Sequence, residues 1–293
     1  MLRAAEAVSH GAITIVNAMA TGRGAALGVG LKTHVTIALT NRPGVFIARN
    51  LSDPRENSQL AKTTAQSVFR RFGVDKRFGA VIETDSNIPI AVGLKSSSAA
   101  SNAIALASLR AIGKKFNDLE VVRLGVEASF RAGVTLTGAF DDATACYFGG
   151  VVVTDNEKRR ILKRFRPKGR LRVLIHVPKT KKYTRDVDRD SFISIRPIIQ
   201  AVHRSALRGD YWNSMTLNGL TYSMALGCDT ETATTAIDSG ALAAGLTGKG
   251  PAVAAIVPEG KKDDVHAAWR RFNGLVIETS LNFRKATSRE SQS

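Results

Sequence analysis

Pro89-Ile90-Ala91-Val92-Gly93-Leu94-Lys95-Ser96-Ser97-Ser98-Ala99-Ala100 joins a proline–glycine turn to three serines and an alanine-rich run. Glycine lets a backbone approach a ligand closely. Serines that open a helix place hydroxyls beside its free N–H groups, at the positive end of the dipole, where an anion is favoured. Lys95 adds a cation at the same place. The residues also suit a plain serine-capped helix after a loop, and both readings predict a helix from about Ser97 to Ile112. The segment is not a P-loop, because no GxxxxGK[ST] occurs in the chain and Gly248-Lys249-Gly250 lacks the upstream Gly and the Ser/Thr. Gly22–Gly30 lacks the GxGxxG register of dinucleotide sites. A nucleotide site here must be of another kind.

Upstream, Ala12–Ala18 and His34–Leu39 are short, β-branched and apolar, as strands are. Thr21–Gly30 between them holds four glycines and predicts a loop. A helical pattern covers Glu56–Phe72 and a strand Ala80–Thr84. Downstream, a helix is expected over Asp118–Arg131, with Asn117 or Asp118 as its N-cap. Another should span Asp141–Phe148, closed by Gly149-Gly150, and Val151–Thr154 then reads as a strand. Leu171–Val177, Ala252–Val257 and Leu275–Glu278 are strand-like. Ile193–Leu207, Tyr211–Leu226, Thr230–Ser239 and the segment around Asp263–Phe272 are helix-like. Helices on a mostly antiparallel sheet give an α+β class, divided into residues 1–157 and 158–293. The final ten residues read as frayed. Tyr211, Trp212 and Trp269 read as core or interface anchors.

The chain has 293 residues, 44% hydrophobic and 23% charged, which fits an ordinary globular protein. Its charge is unusual: 42 Lys+Arg against 25 Asp+Glu give +17. Residues 158–189 carry fourteen basic and two acidic residues, a net of +12. Such a field favours polyanions, from RNA to phosphorylated metabolites, so an RNA-binding protein is the rival from another class. At a domain junction the run also suits a cleft that gathers ATP and an anionic acceptor. No apolar run reaches the roughly 18 residues of a membrane helix, and Glu6, Ser9 and His10 break any signal-like core. The five histidines show no zinc spacing. Cys146 and Cys228 read as reduced thiols of a cytoplasmic protein.

Asp141 and Asp142 open a helix, where the dipole favours carboxylates. They serve either as an N-terminal pair that stabilises the helix or as a catalytic acid or base.

PIAVGLKSSSAA resembles the second signature of the GHMP kinases, whose usual form is Pro-x-x-x-Gly-Leu-Gly-Ser-Ser-Ala. Lys95 stands where that form has glycine, and Ser98 where it has alanine. Gly-Leu-Lys-Ser-Ser-Ser-Ala is similar to the variant of the archaeal-type shikimate kinases. Gly245-Leu-Thr-Gly-Lys-Gly-Pro-Ala252 resembles the third signature. Gly11–Asn17 with Thr21–Ala26 resembles the first segment of that branch. The three segments span roughly 240 residues in the family's order.

The resemblance implies an N-terminal α/β domain with a left-handed βαβ crossover and a ferredoxin-like C-terminal domain, with the site between them. It implies ATP as donor, Mg²⁺, and shikimate as acceptor, giving 3-phosphoshikimate. A homoserine or mevalonate-type kinase is the alternative within the family. Pro89 to Ala99 would bind nucleotide. Asn17, Thr21, Gly22, Arg23, Gly24, Thr247, Gly248, Lys249 and Gly250 would line the site. By its spacing to Gly149-Gly150, Asp142 would deprotonate or orient the acceptor hydroxyl and Asp141 would orient substrate or metal, with the reverse assignment open. Ser97 and Glu127 would hold Mg²⁺. The acceptor's carboxylate would be met by Arg23, Lys95, Lys179, Lys181 or Lys182. Oligomeric state is left open, and neither nucleic acid nor membrane is expected as a partner.

Overall fold

A computed structural model describes residues 3–135, 138–179 and 192–291. Lys181 and Lys182, and Thr137 of the segment before the Asp pair, lie outside the described residues. Two sheets carry the fold. The first is built on β1 (Ala4–Val16) and β2 (Arg23–Thr40), antiparallel over most of their length. Beyond β2 lie β4 (Gly79–Ser86) and then β3 (Phe46–Asn50), and β3 runs parallel to β4 with α1 (Gln59–Arg71) between them in the chain. The first half of β2 pairs instead with β5 (Val151–Asp155), which pairs β6 (Arg160–Phe165). The chain leaves β4 alongside the middle of β2, where Asn87 Oδ1 accepts from Lys32 N–H at 2.7 Å. Residues 88–95 then lead into α2 (Ser96–Ala111).

Alanine-rich α2 has high helix propensity and is buried along most of its length, as a helix apolar on nearly every face must be. It packs on β1 and β2 and is flanked by α1, α3 (Asp118–Arg131) and α4 (Phe140–Phe148). Asn117 caps α3, its Oδ1 accepting from Glu120 N–H at 2.9 Å, as the sequence predicts. Gly149 and Gly150 end α4 with φ of 68° and 70°.

The second sheet has the order β10 (Gly274–Ser280), β7 (Leu171–Pro178), β9 (Val253–Pro258), β8 (Ala243–Leu246), all antiparallel. Among the described residues, α5 (Arg196–Leu207), α6 (Tyr211–Ala225) and α7 (Glu231–Asp238) stand between β7 and β8 in the chain, and α8 (Lys262–Trp269) between β9 and β10. This is the β-α-β-β-α-β order of a ferredoxin-like unit with an enlarged first connection. The α+β expectation therefore holds. Trp269 is fully buried, its indole N–H donating to Thr232 O at 2.8 Å. One core cluster joins Ile13, Leu27 and Val152 of the first sheet to Ile175, Ala254 and Ile256 of the second and to Met215 and Tyr222 of α6.

Two expectations fail. Arg23–Gly30 is strand, not loop, with only the turn at Gly22 preceding it. Its glycines serve close approach rather than turning: a Cβ on Gly28 would lie 2.9 Å from Gly149 Cα, so α4 could not seat. The C-terminus is not frayed through its length, because Thr287–Ser291 forms β11, antiparallel to β1. Arg289 Nη2 meets Glu6 Oε2 there at 2.7 Å. Polar alternation in a strand with one solvated face resembles the composition of a tail, and the partner strand alone distinguishes them. Both β6 and β11, from beyond residue 157, join the first sheet.

Candidate active site

The three glycine-bearing segments meet at one hydrogen-bonded knot. Thr14 of β1 donates its backbone N–H to Thr247 Oγ1 at 3.1 Å, and its own hydroxyl accepts from Gly248 N–H at 2.8 Å. Thr247 Oγ1 in turn donates to Gly93 O at 2.9 Å. Asn17 Nδ2 donates to Gly248 O at 2.7 Å, and Asn17 N–H to Asn218 Oδ1 at 2.8 Å. Gly93 has φ of 92°, and a Cβ there would overlap the Thr247 carbonyl, so only glycine fits.

This knot forms one wall of a cleft of about 820 Å³. Ile90, Ala91, Gly93, Leu94, Lys95 and Ser96 to Ser98 line it, with Asn17, Gly248, Lys249, Gly250, Asp141 and Asp142. Val92 and Ala99 sit behind it in the core. Pro89 and Thr247 support the wall without lining it.

Two helices start at this cleft, and both start after a non-glycine residue in the left-handed region. Lys95 precedes α2 with φ 64° and ψ 30°, and Ala139 precedes α4 with φ 45° and ψ 46°. Neither helix has a side-chain N-cap. Left-handed backbone costs a non-glycine residue about 1–2 kcal/mol, and such strain gathers at ligand sites. The twist at Lys95 points its side chain into the cleft, where Nζ meets Asp142 Oδ1 at 3.1 Å, the two side chains only 8% and 17% exposed. A Cβ on Gly248 would lie 3.1 Å from the same Nζ. A carboxylate, an ammonium and the N–H groups that open α2 thus converge beside the start of α4, a combination able to bind phosphate oxygens and take up a proton.

The adjacent carboxylates occupy different surroundings. Asp141 is 4% exposed, and Oδ1 accepts from Asn156 Nδ2 at 2.7 Å. Burial, and then the neighbouring Asp142 charge, push its carboxyl up to about 7, against the opposing pull of Lys95 and Asn156. Burial likewise pushes the Cys146 thiol up, and Cys146 is a reduced, buried neighbour of the site.

Several residues predicted from sequence fall elsewhere. Thr21, Gly22, Arg23 and Gly24 do not line the cleft; they wrap the back of Asp141, and a Cβ on Gly24 would overlap Asp141 Oδ2. Arg23 is exposed and faces Asp155 at 4.0 Å. Glu127 is not brought to Ser97: it takes Arg159 Nη1 at 3.0 Å and lies outside the cleft lining. Lys179 is exposed at the end of β7. Among the described residues none of the basic run lines the cleft. Several of its described side chains lie on aromatic faces or in ion pairs, Arg164 on Phe148, Arg166 on Phe283 and Arg172 on Glu259. Sequence reasoning missed Thr14, Met19 and the Arg55–Ser58 loop, all of which line the cleft. Thr14 lies within the Gly11–Asn17 segment but is not singled out there, Met19 and the loop lie in no motif, and only the spatial return of their segments marks them. Among the described residues no group of three or more His, Cys, Asp or Glu could hold a metal, and no helix is long and apolar enough to cross a membrane.

The family model for the GHMP kinases N terminal domain matches residues 59–150, and that for GHMP kinases C terminal matches residues 231–274. The chain is 41% identical over 284 residues to the shikimate kinase of Methanosarcina mazei, covering 96% of each. It is 40% identical over 271 residues to that of Pyrococcus furiosus, covering 92% of this chain and 96% of that one. Among solved structures it is similar to a homoserine kinase from Cytophaga hutchinsonii, at TM-score 0.77, 17% identity and coverage of 98% and 97%. The Methanococcus jannaschii mevalonate kinase gives TM-score 0.77 at 16% identity, covering 94% of this chain and 98% of that one.

Proposed function

Since the chain belongs to the GHMP kinases, in the branch of the archaeal-type shikimate kinases, we propose that it transfers the γ-phosphoryl group of ATP to the 3-hydroxyl of shikimate, giving 3-phosphoshikimate and ADP. The observation that carries the chemistry is the Lys95–Asp142 pair, set at 3.1 Å between the N-termini of α2 and α4. Phosphoryl transfer asks little covalent work of a protein and much positioning and charge neutralisation.

The N–H groups that open α2, with the Ser96, Ser97 and Ser98 hydroxyls, receive the phosphate oxygens. Lys95 neutralises charge beside them and orients the Asp142 carboxylate. Asp142 accepts the proton of the acceptor hydroxyl as the oxygen attacks phosphorus, and later releases it to solvent. Lys249, next to Gly248 in the cleft lining, is the cation assigned in this reading to the acceptor's carboxylate. Mg²⁺ supplies further neutralisation on the phosphates. With no cluster of three His, Cys, Asp or Glu side chains among the described residues, the ion would be held by the Ser97 hydroxyl together with phosphate oxygens and water, the usual habit of this ion.

The β3–α1–β4 unit is read as the family's left-handed crossover. The two free cysteines support a cytoplasmic setting for the enzyme. An ADP-release assay across shikimate, homoserine and mevalonate tests the reading. Turnover of shikimate alone is expected, and activity on homoserine without activity on shikimate overturns it.

A further inference from the structure

Behind Asp141 stands a side chain that belongs to none of the three signatures. Asn156 follows β5 and is 4% exposed. Its Nδ2 donates to Asp141 Oδ1 at 2.7 Å, while its Oδ1 accepts from Asp141 N–H at 3.1 Å and from Thr154 Oγ1 at 2.7 Å. Its own backbone N–H donates to Gly22 O at 2.9 Å. The orientation of the carboxamide follows from this network. Turned over, it would set a donor against two donors and an acceptor against a carboxylate.

Two bonds to one residue, one to its N–H and one to its carboxyl, fix both the first turn of α4 and the side chain of Asp141. Ala139, at the N-cap position, is left-handed and supplies no side-chain acceptor to that turn. Asp142 is the next residue along, and its direction into the cleft follows from how the turn is held. Asn156 also links this turn to the Thr21–Gly24 segment through Gly22, which gives that glycine-rich stretch a role although it lies outside the cleft.

We infer that Asn156 is a positioning residue for phosphoryl transfer, clamping Asp141 so that Asp142 enters the cleft opposite Lys95. The inference rests on the reading of Asp142 as the carboxylate that takes the acceptor's proton. The charged and titratable groups around Asp141 are Asp142 and Cys146 on α4, Lys95 at the head of α2 and Tyr222 on α6. The backbone of Asp142 also bonds the Asp141 carboxyl, and the side-chain donor on Oδ1 is Asn156 Nδ2.

Asn156→Asp tests this with little change of shape. The Asp141 N–H and the Thr154 hydroxyl keep their acceptor, and only the Nδ2 donor is exchanged for oxygen, 2.7 Å from Asp141 Oδ1. Two carboxyls so close cannot both ionise, so they share a proton at low pH and repel once it is lost. The clamp is therefore present in acid and fails as pH rises. The kcat ratio of variant to wild type should fall about tenfold to a hundredfold between about pH 6 and pH 9, with KM for ATP unchanged. A ratio constant with pH, or a loss carried by KM alone, overturns the inference.

Thr154→Val removes one donor to Asn156 Oδ1 and decides the matter should the first variant fail to fold. A drop in kcat at constant KM is expected, and an unaltered kcat overturns the clamp. Wild-type turnover of shikimate in the same assay separates the two levels. Its absence defeats the functional reading, whereas a working wild type with a flat ratio defeats only the role of Asn156.

Discussion

Lys95 occupies the position where most GHMP kinases resemble one another in having glycine, and exchanging it separates two opposing terms. At 3.1 Å and an effective dielectric constant of about 20, its attraction to Asp142 is about 5 kcal/mol before desolvation is subtracted. Because the pair is largely buried, removing one partner strands the other, and a net loss of about 2–3 kcal/mol follows once water reaches the partly exposed Asp142. Against this stands the left-handed backbone, φ 64°, which costs any non-glycine residue about 1–2 kcal/mol. Lys95→Met loses the pair and keeps the strain. Lys95→Gly loses the pair and relieves the strain. The glycine variant should therefore be the more stable of the two by about 1–2 kcal/mol, although both lose turnover, by roughly a hundredfold or more. Denaturant unfolding followed by circular dichroism measures the first difference, and coupled ADP release the second. Equal stability of the two variants would refute the strain argument, and wild-type kcat in either would remove Lys95 from the mechanism.

Asp142→Asn should lower kcat by about a hundredfold to ten-thousandfold while leaving ATP binding by calorimetry near wild type; unchanged turnover would remove its role as proton acceptor. Asp141 makes the stability of the protein depend on pH with a definite sign. Its folded carboxyl titrates near 7, against 3.8 ordinarily, so it holds a proton that the unfolded chain has already released. That contribution is complete below about pH 4 and is lost as pH rises through about 7. Asp141→Asn removes the buried charge, so a gain on the order of 1–2 kcal/mol is expected at pH 8 and little at pH 5, read by chemical denaturation at both. Gly93→Ala places a methyl group against the Thr247 carbonyl at a positive φ. A loss of about 2 kcal/mol or more should result, with a raised KM for ATP, and a variant as stable as wild type would show that the knot is not tight.

Local chemistry already marked much of this molecule. Asn117 as a cap, Gly149-Gly150 as a stop and the alanine run of α2 are signals confined to a few neighbouring residues, and each appears where its pattern stands. The Gly93–Ser98 segment, Asp141-Asp142 and Gly248–Gly250, which line the cleft, were legible as candidates for the same reason, since glycine freedom, serine hydroxyls and carboxylates at a helix start are properties of the segment itself. What sequence could not supply was partnership. Arg23–Gly30 looks like a loop because glycine is a turn residue in isolation, and only the approach of α4 shows that absent side chains were required there. Thr287–Ser291 becomes a strand because β1 offers it an open edge. Glu127 is drawn to Arg159, and the basic run to phenylalanine faces, by neighbours distant in the chain. The two aspartates, adjacent and chemically identical, diverge because one turn of helix sends Asp142 toward Lys95 and Asp141 into the protein against Asn156. Backbone preference is local, so sequence reveals it; burial, charge pairing and the hydrogen bonds that set a carboxyl's affinity for its proton are distances, and only the folded chain has them.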